Sequence, residues 1–471
     1  MASSNGPVGG GPELLLRLDR GDQTALHEQI ERSIRDDIRA GRLAAGSRLP
    51  SSRALATELG VSRGVVTEAY GQLAAEGYLH TRQGAPVRVA SAVRASAPRA
   101  PARSLLPSFS YHFHPGLPDL AGFPRDRWLR SLRAAWRQAP IGAIGYADPR
   151  GVPELREALA EYLGRVRGAA TDPEHTLICT GFTQGLSLLC RWLAAQEVER
   201  VALEDPGWHP HRLIVEQAGL EVVPIPVDEE GLRVDLLRAS GATAVIVTPA
   251  HQFPTGCVMS SERRAALIEW AETDDGLIVE DDYDAEFRYD RGGVGALQGL
   301  APERVVLIGS ASKRLAPAMR LGWMLAPSWL AWILIAAKTV EDSGSEAVGQ
   351  LALHDFVARG ELDRHLRRMR LRYEGRRDAL IEALGRWAPG CVAGEGAAGL
   401  YELVALPAGL EEAGLITAAA ERGVGVEGIA LHSFTGGRPP ALVLGFGNLP
   451  EPAIEHGVRL LGEALGDVGA G

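Results

Sequence analysis

The feature that most constrains the fold is a series of short apolar runs, each followed directly by polar residues or glycine. The runs occupy residues 176–179, 201–203, 244–247, 277–279 and 305–308. Segments with helical composition, such as 185–195 and 261–272, lie between them. Strands that are apolar along their whole length and alternate with helices are typical of a parallel sheet buried on both faces. The sequence therefore predicts an α/β domain with a mostly parallel sheet.

The polar residues after these runs are expected to meet, because the carboxyl ends of parallel strands form one edge of a sheet. Lys313 supplies an amine that can form an imine with an aldehyde. Asp281 can pair with a pyridine nitrogen, and Tyr283 can donate to a phenolate oxygen. Trp208 offers a face on which a ring can stack. This combination predicts a site for pyridoxal 5′-phosphate.

A second group of residues suits the phosphate of that cofactor. Ser310 can donate its hydroxyl hydrogen, and Arg320 can bind two oxygens with its planar guanidinium group. Phe182 and Thr183 follow Gly181 at the predicted start of a helix, where free backbone N–H groups favour an anion. We expect these residues to lie at one end of the cofactor site.

Lysine is nearly absent from the chain, which gives the two lysines that remain special interest. Lys313 and Lys338 are the only lysines, and the other 47 of the 49 basic residues are arginine. Arginine keeps its proton near neutral pH and forms no imine, so a retained lysine indicates a need for an amine. Lys313 lies in a motif with such a need. Lys338 has no such context and is interpreted as an ordinary surface cation.

The charge of the chain is unevenly distributed. Residues 1–103 carry 14 arginines and 10 acidic residues, a balance of +4, whereas the remainder carries 35 basic and 49 acidic residues, a balance of −14. A basic front on an acidic body is consistent with a polyanionic partner for the front alone. The second part is not expected to contact DNA.

Cysteine usage and hydropathy indicate a cytoplasmic protein without a structural metal. The four cysteines form no CxxC pair and are interpreted as reduced core thiols. No apolar segment follows a basic start as in a secretory signal. The most apolar stretch, 321–340, is interrupted by Pro327, Ser328 and Lys338, so no membrane span is expected.

Composition divides the chain into three zones. Residues 13–90 have the pattern of a compact unit. Residues 91–107 are rich in Ala, Pro, Ser and Arg without apolar periodicity, which indicates a semi-extended linker. The large domain spans 108–466 and includes a smaller C-terminal subdomain after about residue 355.

The front unit has the pattern of a helix-turn-helix. Ile30, Ile34 and Ile38 form a helical stripe. Further on, a short helix ends at Gly60, and Ser62 can cap the next helix. The second helix of such a motif enters the major groove with its first residues. Alternation over 80–89 around a central glycine predicts a two-stranded wing.

The segment LPSSRALATELGVSRGVVTEAYGQLAAEGYL resembles the winged helix-turn-helix of GntR-type transcription regulators. The resemblance covers residues 13–90 and implies that the unit binds double-stranded operator DNA. By this resemblance Arg53 and Arg63 contact DNA, together with Ser62 and the wing around Gly84. Thr67, where some relatives carry another Arg, is a further candidate for a DNA contact.

The large domain resembles class I aminotransferases of fold-type I. GSASKRLAPAMRLGW is similar to their lysine and phosphate segment, and YADPRGVPELREALAEYL to the segment at their substrate entrance. The resemblance implies that Tyr146 reaches the phosphate of a neighbouring subunit, and therefore a homodimer. A GntR-type unit joined by a Pro/Ala linker to such a domain is the layout of the MocR (GabR-like) regulators, and TPAHQFPTG also resembles that subfamily.

Two positions depart from the aminotransferase pattern. Where aminotransferases have Asn-Pro-Thr-Gly, this chain has Phe253 in place of the asparagine. The asparagine contact to the cofactor oxygen is therefore missing, and either His251 or Gln252 is a candidate to replace it. The arginine that grips a substrate carboxylate corresponds to Val443, so a carboxylate needs another cation, for which Arg438 is the candidate. The loss of this arginine argues against efficient amino-acid transamination and leaves the cofactor site intact.

Three functional hypotheses remain. In the favoured hypothesis the chain is a transcription regulator that holds pyridoxal 5′-phosphate as an imine on Lys313. It responds to the vitamin B6 vitamer itself or to an amine or amino acid. The alternative is an active aminotransferase that carries a DNA-binding domain. A third hypothesis keeps the DNA-binding unit but uses a cofactor-free domain only for dimerisation.

Overall fold

The apolar runs of the sequence become strands of one mostly parallel sheet in the computed structural model of the chain. The structure describes residues 16, 18–81, 85–90, 109–289, 293–394, 396 and 398–469. Its contacts divide the chain into two units, Met1–Pro107 and Ser108–Gly471. Each unit is described by itself below.

The first unit is a small helical domain with a two-stranded wing. Its elements are α1 (Leu26–Arg39), α2 (Ser52–Leu59), α3 (Arg63–Ala75), β1 (Leu79–His80) and β2 (Arg88–Val89). The stripe Ile30, Ile34 and Ile38 on α1 is buried against Leu73 and other apolar residues of α3. The wing strands pair antiparallel, with Leu79 opposite Val89. The predicted winged helix-turn-helix is confirmed.

The second unit alternates strands and helices for most of its length. Its strands are β3 (Tyr111–His112), β4 (Thr176–Cys179), β5 (Arg200–Asp205), β6 (Glu221–Asp228), β7 (Gly231–Leu232), β8 (Ala244–Val247), β9 (Leu277–Asp282), β10 (Val305–Ser310), β11 (Gly322–Leu325), β12 (Val392–Ala393), β13 (Tyr401–Ala405), β14 (Val424–Gly425), β15 (Glu427–Gly428) and β16 (Ala441–Gly445). Its α-helices are α4 (Arg125–Gln138), α5 (Pro153–Arg167), α6 (Phe182–Ala195), α7 (His209–Gln217), α8 (Val234–Ser240), α9 (Ser261–Thr273), α10 (Ala311–Arg314), α11 (Ser328–Asp342), α12 (Ala347–Ala358), α13 (Glu361–Trp387), α14 (Glu412–Glu421) and α15 (Glu451–Gly469).

The large sheet has the strand order β4-β11-β10-β9-β8-β5-β6-β7. The pairs from β10 through β9, β8 and β5 to β6 are parallel, whereas β11 runs antiparallel to both of its neighbours. All residues of β4, β8, β9 and β10 are buried, because helices cover both faces of the sheet. The predicted mostly parallel α/β fold is confirmed.

A smaller sheet and long helices form the C-terminal part of this unit. The sheet has the order β12-β13-β16-β15 with antiparallel pairs, and α13 packs along α15 beside it. In the part of the chain that the structure describes, no helix is long and apolar enough to cross a membrane.

The interpretation of Lys338 as a surface cation is wrong. Its side chain, in α11, is 0% exposed. The ammonium Nζ donates to both carboxylate oxygens of Asp342 at 3.0 and 2.9 Å and to Ser345 Oγ at 3.0 Å. Asp342 in turn accepts a hydrogen bond from Gln184 on α6 at 2.9 Å. Nothing in the local sequence of α11 distinguishes this buried cation from an exposed one.

We expect Lys338→Met to lower the free energy of unfolding by about 2 kcal/mol, because it leaves the Asp342 carboxylate without its cation. The cost is smaller than for a fully buried pair, since the Asp342 side chain is 24% exposed. Arg359→Met is the matched control, because Arg359 also pairs with a carboxylate four residues away but is 49% exposed. Denaturant unfolding followed by tryptophan fluorescence measures both. Equal losses in the two variants would contradict this role of Lys338.

Candidate functional site

In the first unit, the turn between α2 and α3 presents the predicted DNA-reading end of α3. Gly60 ends α2 with a left-handed backbone, φ +65°, which glycine adopts at little cost. Ser51 Oγ accepts a hydrogen bond from Ala54 N at 3.2 Å, and Ser62 Oγ accepts one from Val65 N at 3.5 Å. The two serines therefore cap the two helices of the motif.

The DNA-contact candidates of this unit lie together on its surface. Arg53, Ser62, Arg63 and Thr67 are all exposed. Arg63 Nε donates to Ser52 Oγ at 3.4 Å, and Thr67 Oγ1 donates to the Arg63 carbonyl at 2.9 Å. Gly84, the wing candidate, lies outside the described residues.

In the second unit, a cavity of about 220 Å³ lies at the carboxyl ends of the parallel strands. Eight of the predicted cofactor residues line it: Phe182, Thr183, Trp208, Asp281, Tyr283, Ser310, Lys313 and Arg320. The other lining residues are Pro115, Gly116, Gly181, His211, Thr248, Phe253, Ser312 and Tyr401. The candidates His251 and Tyr146 do not line it.

Lys313 and Asp281 bring opposite charges to the buried floor of the pocket. Burial lowers the pKa of Lys313, against the opposing effect of nearby carboxylates, the first of which is Asp281. Burial raises the pKa of Asp281, while His211, whose Nε2 lies 3.2 Å from its carboxylate, opposes that change. A Cβ atom on Gly116 would lie 2.8 Å from Lys313 Nζ, so a glycine at this position leaves room at the amine.

The other end of the pocket has the donors of an anion site. Ser310 Oγ accepts a hydrogen bond from Ser312 N at 3.0 Å and donates to Ser312 Oγ at 2.8 Å. Gly181 precedes the first turn of α6, and a Cβ atom there would lie 3.6 Å from the Arg320 guanidinium group. Arg320 itself has φ +50°, a left-handed conformation that costs a non-glycine residue about 1 kcal/mol. Such strain is common at binding sites.

The Tyr283 hydroxyl faces a hydrogen-bonded group behind the pocket. It donates to the His251 carbonyl at 2.8 Å and lies 3.1 Å from both His251 Nδ1 and Tyr401 Oη. His251 is 2% exposed, and its Nδ1 lies 2.9 Å from the Asp284 carboxylate. The histidine therefore lies behind Tyr283 and contacts the site through it.

Three aromatic residues, Trp208, Phe253 and Tyr401, form one side of the pocket, which we call the aromatic wall. The rings of Trp208 and Phe253 are 4.9 Å apart, and those of Phe253 and Tyr401 are 5.0 Å apart. Val443, at 0% exposure, packs in the same apolar cluster. The departures Phe253 and Val443 therefore lie in or directly behind the wall.

The remaining candidates have other contacts. Gln252 Nε2 donates to Glu204 at 3.2 Å and to the Phe253 carbonyl at 2.6 Å. Arg438 donates to the Asp205 carbonyl and does not line the pocket. Tyr146 is 95% exposed in the single chain.

Sequence reasoning missed several side chains that line the pocket, among them His211, Thr248 and Tyr401. His211 follows Trp208 by three residues in the first turn of α7, and this helical spacing from a predicted site residue is a usable signal. Thr248 directly follows the apolar run of β8, where the strand-end rule also applies. Tyr401 begins β13, and no local pattern relates it to Lys313.

Each of the two units matches a known protein family. Residues 26–89 match the family described as bacterial regulatory proteins, gntR family. Residues 123–428 match the family described as aminotransferase class I and II. The chain is thus a GntR-type helix-turn-helix unit followed by an aminotransferase-like unit.

Whole-chain relatives have the same layout. The HTH-type pyridoxine biosynthesis transcriptional regulator PdxR of Corynebacterium glutamicum is 33% identical over 460 residues, covering 96% of this chain and 99% of that protein. The probable rhizopine catabolism regulatory protein MocR of Rhizobium meliloti is 32% identical over 475 residues, covering 96% of each. The chain belongs to this MocR-type family of transcription regulators, which confirms the predicted resemblance.

Solved structures agree with the fold of the second unit. An archaeal alanine:glyoxylate aminotransferase has a TM-score of 0.70 and 28% identity, covering 77% of this chain and 91% of that chain. The Pyrococcus horikoshii kynurenine aminotransferase, in complex with PMP, has a TM-score of 0.69 and 26% identity, covering 76% of this chain and 90% of that chain. The aminotransferase fold is therefore shared.

A buried carboxyl group adjoins the pocket at the end of β5. Glu204 is 5% exposed and accepts hydrogen bonds from Thr248 N at 3.1 Å and Thr248 Oγ1 at 2.6 Å. Burial raises its pKa from 4.5 to about 7, although these hydrogen bonds oppose the change. The fold therefore favours the protonated form of Glu204.

We expect the stability difference between Glu204→Gln and the wild type to depend on pH. The raised pKa of Glu204 favours folding below pH 4.5, and this contribution is lost as the pH rises through 7. Glutamine has no proton to lose, so the variant should gain up to about 3 kcal/mol relative to the wild type between pH 4.5 and 8. Unfolding at several pH values measures this, with the exposed Glu221→Gln as control. Parallel pH curves for Glu204→Gln and wild type would contradict the assignment.

Proposed function

We propose that the chain is a transcription regulator that binds operator DNA through residues 13–90 and pyridoxal 5′-phosphate in its second unit. The cofactor is bound covalently to Lys313. Residues 108–466 form the effector domain, and residues 91–107, outside the described residues, link the two. The protein responds to the vitamin B6 vitamer itself or to an amine or amino-acid effector. The observation that carries the proposal is the convergence of Lys313, Asp281 and Arg320 on one pocket.

The residues of the pocket fit the cofactor group by group. One end of the cavity is lined by hydrogen-bond donors, which suits a phosphate. These donors are the side chains of Ser310, Thr183 and Arg320. Asp281 suits a protonated pyridine nitrogen, and His211 Nε2 lies 3.2 Å from its carboxylate. The Tyr283 hydroxyl can donate to the phenolate oxygen once its hydrogen turns away from the His251 carbonyl, and the ring of Trp208 is available for stacking.

The state of Lys313 fits a covalent role. The aldehyde of pyridoxal 5′-phosphate forms a reversible covalent bond with a neutral amine nitrogen, which Lys313 or an effector amine can supply. Because burial lowers the pKa of Lys313, a larger fraction of this lysine is neutral at physiological pH than for an exposed lysine. Asp281 can hold a proton on the pyridine nitrogen while Lys313 remains neutral.

The assembly we propose is a homodimer that acts in the cytoplasm, where chromosomal DNA is accessible. The turn before Tyr146 supports the dimer, because Ile141 is 90% and Ile144 62% exposed. Exposed apolar residues clustered in one short segment are typical of an interface. Two DNA-binding units in a dimer would read two half-sites.

Borohydride reduction of the protein with pyridoxal 5′-phosphate should fix one cofactor per chain on the peptide that contains Lys313. The chain has only one other lysine, Lys338, which is buried and donates to Asp342 and Ser345, and it serves as the internal control. Peptide mass spectrometry locates the label. Lys313→Arg should keep the charge and the fold but abolish both the label and the cofactor absorption band. A label elsewhere, or an unchanged band in Lys313→Arg, would refute covalent binding at Lys313.

Substitution of Arg63 should weaken operator binding because this exposed arginine lies in the first turn of the reading helix. We expect Arg63→Gln to raise the dissociation constant about 10- to 100-fold, the loss typical of one base-reading arginine. Arg32→Gln, on α1, removes the same charge from the same unit and should change binding only slightly. A gel-shift titration on the DNA upstream of its own gene, at fixed salt, compares the variants. An equal rise in the dissociation constant for both substitutions would argue against base recognition by α3.

A further inference from the structure

The pocket has two chemically different sides. Charged and hydroxyl groups line the floor, with Lys313 and Asp281, and the anion-binding end, with Ser310 and Arg320. Phe253 and Tyr401 of the aromatic wall line another part of the pocket, whereas Trp208, the third wall residue, is the one assigned to the cofactor ring. Under the proposed function, on which this inference rests, the cofactor takes the floor, so an effector that reaches Lys313 must pack against the wall.

The wall is a tightly packed apolar surface. Phe253 is 5% and Tyr401 2% exposed, and Val443 closes the cluster behind them. The Phe253 ring is also 4.9 Å from the ring of His432, which stacks at 5.8 Å on Trp208. The Tyr401 hydroxyl donates to the Gln252 carbonyl at 3.0 Å. Only a small part of each of the Phe253 and Tyr401 rings reaches the pocket that they line, and the Tyr401 hydroxyl is already engaged.

In the described part of the chain, the pocket has no arginine or lysine beyond the two that the cofactor uses. Among the described residues that line the pocket, the lysine and arginine side chains are those of Lys313 and Arg320. The phosphate would engage Arg320. Lys313 is bonded to the cofactor until an effector amine replaces it, and burial then favours its neutral form. Arg438 donates to the Asp205 carbonyl and is not part of the lining.

The nearby charges also disfavour an anion. The carboxylates of Asp281, Asp284 and Glu427 lie near enough to Lys313 to oppose the lowering of its pKa by burial. Glu427 lies 3.4 Å from His432, next to the wall. An effector carboxylate placed here would be desolvated, would have no cationic partner and would face like charge, each of which is costly.

We propose that the pocket selects a primary amine with an apolar or aromatic body and without a carboxylate, rather than an α-amino acid. The amine nitrogen approaches Lys313, and the body packs on Phe253 and Tyr401. The carboxylates around Lys313 favour the approach of a cationic amine and repel the carboxylate of an amino acid.

The test compares phenethylamine with phenylalanine, which differ only in the carboxylate. Each is titrated into the full-length protein loaded with cofactor, at equal concentrations of neutral amine, and the change in the cofactor absorption band is followed. We expect half-saturation by phenethylamine at a concentration at least about tenfold lower than by phenylalanine. A band shift on operator DNA with each ligand provides a second readout.

The outcomes are distinct. Phenylalanine binding as tightly as phenethylamine, or more tightly, would overturn the inference and require a cation from elsewhere, such as a partner subunit. A cofactor band that neither ligand changes would also overturn it, while leaving the cofactor proposal intact and the vitamer as effector. The absence of any Lys313-dependent band would refute the proposed function, and this inference with it.

A gain-of-function variant strengthens the comparison. Phe253→Arg places a cation in the wall, and we expect it to reverse the preference, so that phenylalanine binds more tightly than phenethylamine. Phe253→Leu is the control, because it changes the ring without adding charge and should keep the preference for the amine. If Phe253→Arg does not fold, the wild-type titrations with phenethylamine and phenylalanine still decide whether the pocket prefers an amine without a carboxylate. A folded Phe253→Arg protein that retains the wild-type preference would contradict the role of the wall.

Discussion

The geometry of the pocket depends on a buried ion pair between Asp282 and Arg314, the residues that directly follow Asp281 and Lys313. Arg314 Nη2 lies 3.0 Å from one Asp282 carboxylate oxygen, and Arg167 lies 3.0 Å from the other. Asp282 and Arg314 are each 1% exposed, and an unpaired charge at that depth is strongly destabilising. The end of β9 is therefore tied to α10. Asp281 precedes Asp282 in the sequence, and Lys313 precedes Arg314. The ion pair therefore holds Asp281 and Lys313 at one cavity.

This arrangement explains why much of the site could be predicted from the sequence. In the parallel pair β9–β10, Asp281 lies opposite Ile308, so the polar residues after both strands meet at the same edge of the sheet. The same rule applies to Trp208 after β5 and to Phe182 after β4. Apolar runs mark the strands, and the direction of a parallel strand determines on which side its following residues lie. Local sequence therefore contains enough information for this part of the pocket.

The rest of the site depends on contacts between distant segments, which leave no local pattern. Tyr401 reaches the pocket because β13 belongs to a second sheet packed beside the first, and the position of that sheet depends on long helices. The antiparallel strand β11 inserts between β4 and β10, although its sequence does not distinguish it from a parallel strand. His251 is one of the two candidates for the missing asparagine contact to the cofactor, and it lies behind Tyr283. Its placement follows from its contact with Asp284, 33 residues further along the chain.

The scarcity of lysine acquires a physical meaning once both lysines are placed in the structure. Lys313 occupies a buried position where an amine with a lowered pKa is useful and a permanently charged guanidinium group is not. Lys338 occupies a fully buried position where a compact ammonium has three acceptor atoms within 3.0 Å. A planar, longer guanidinium group cannot match that compact arrangement without displacing α11 from its neighbours. In a chain that otherwise uses arginine, lysine is thus retained at two buried sites, one suited to reactivity and the other to packing.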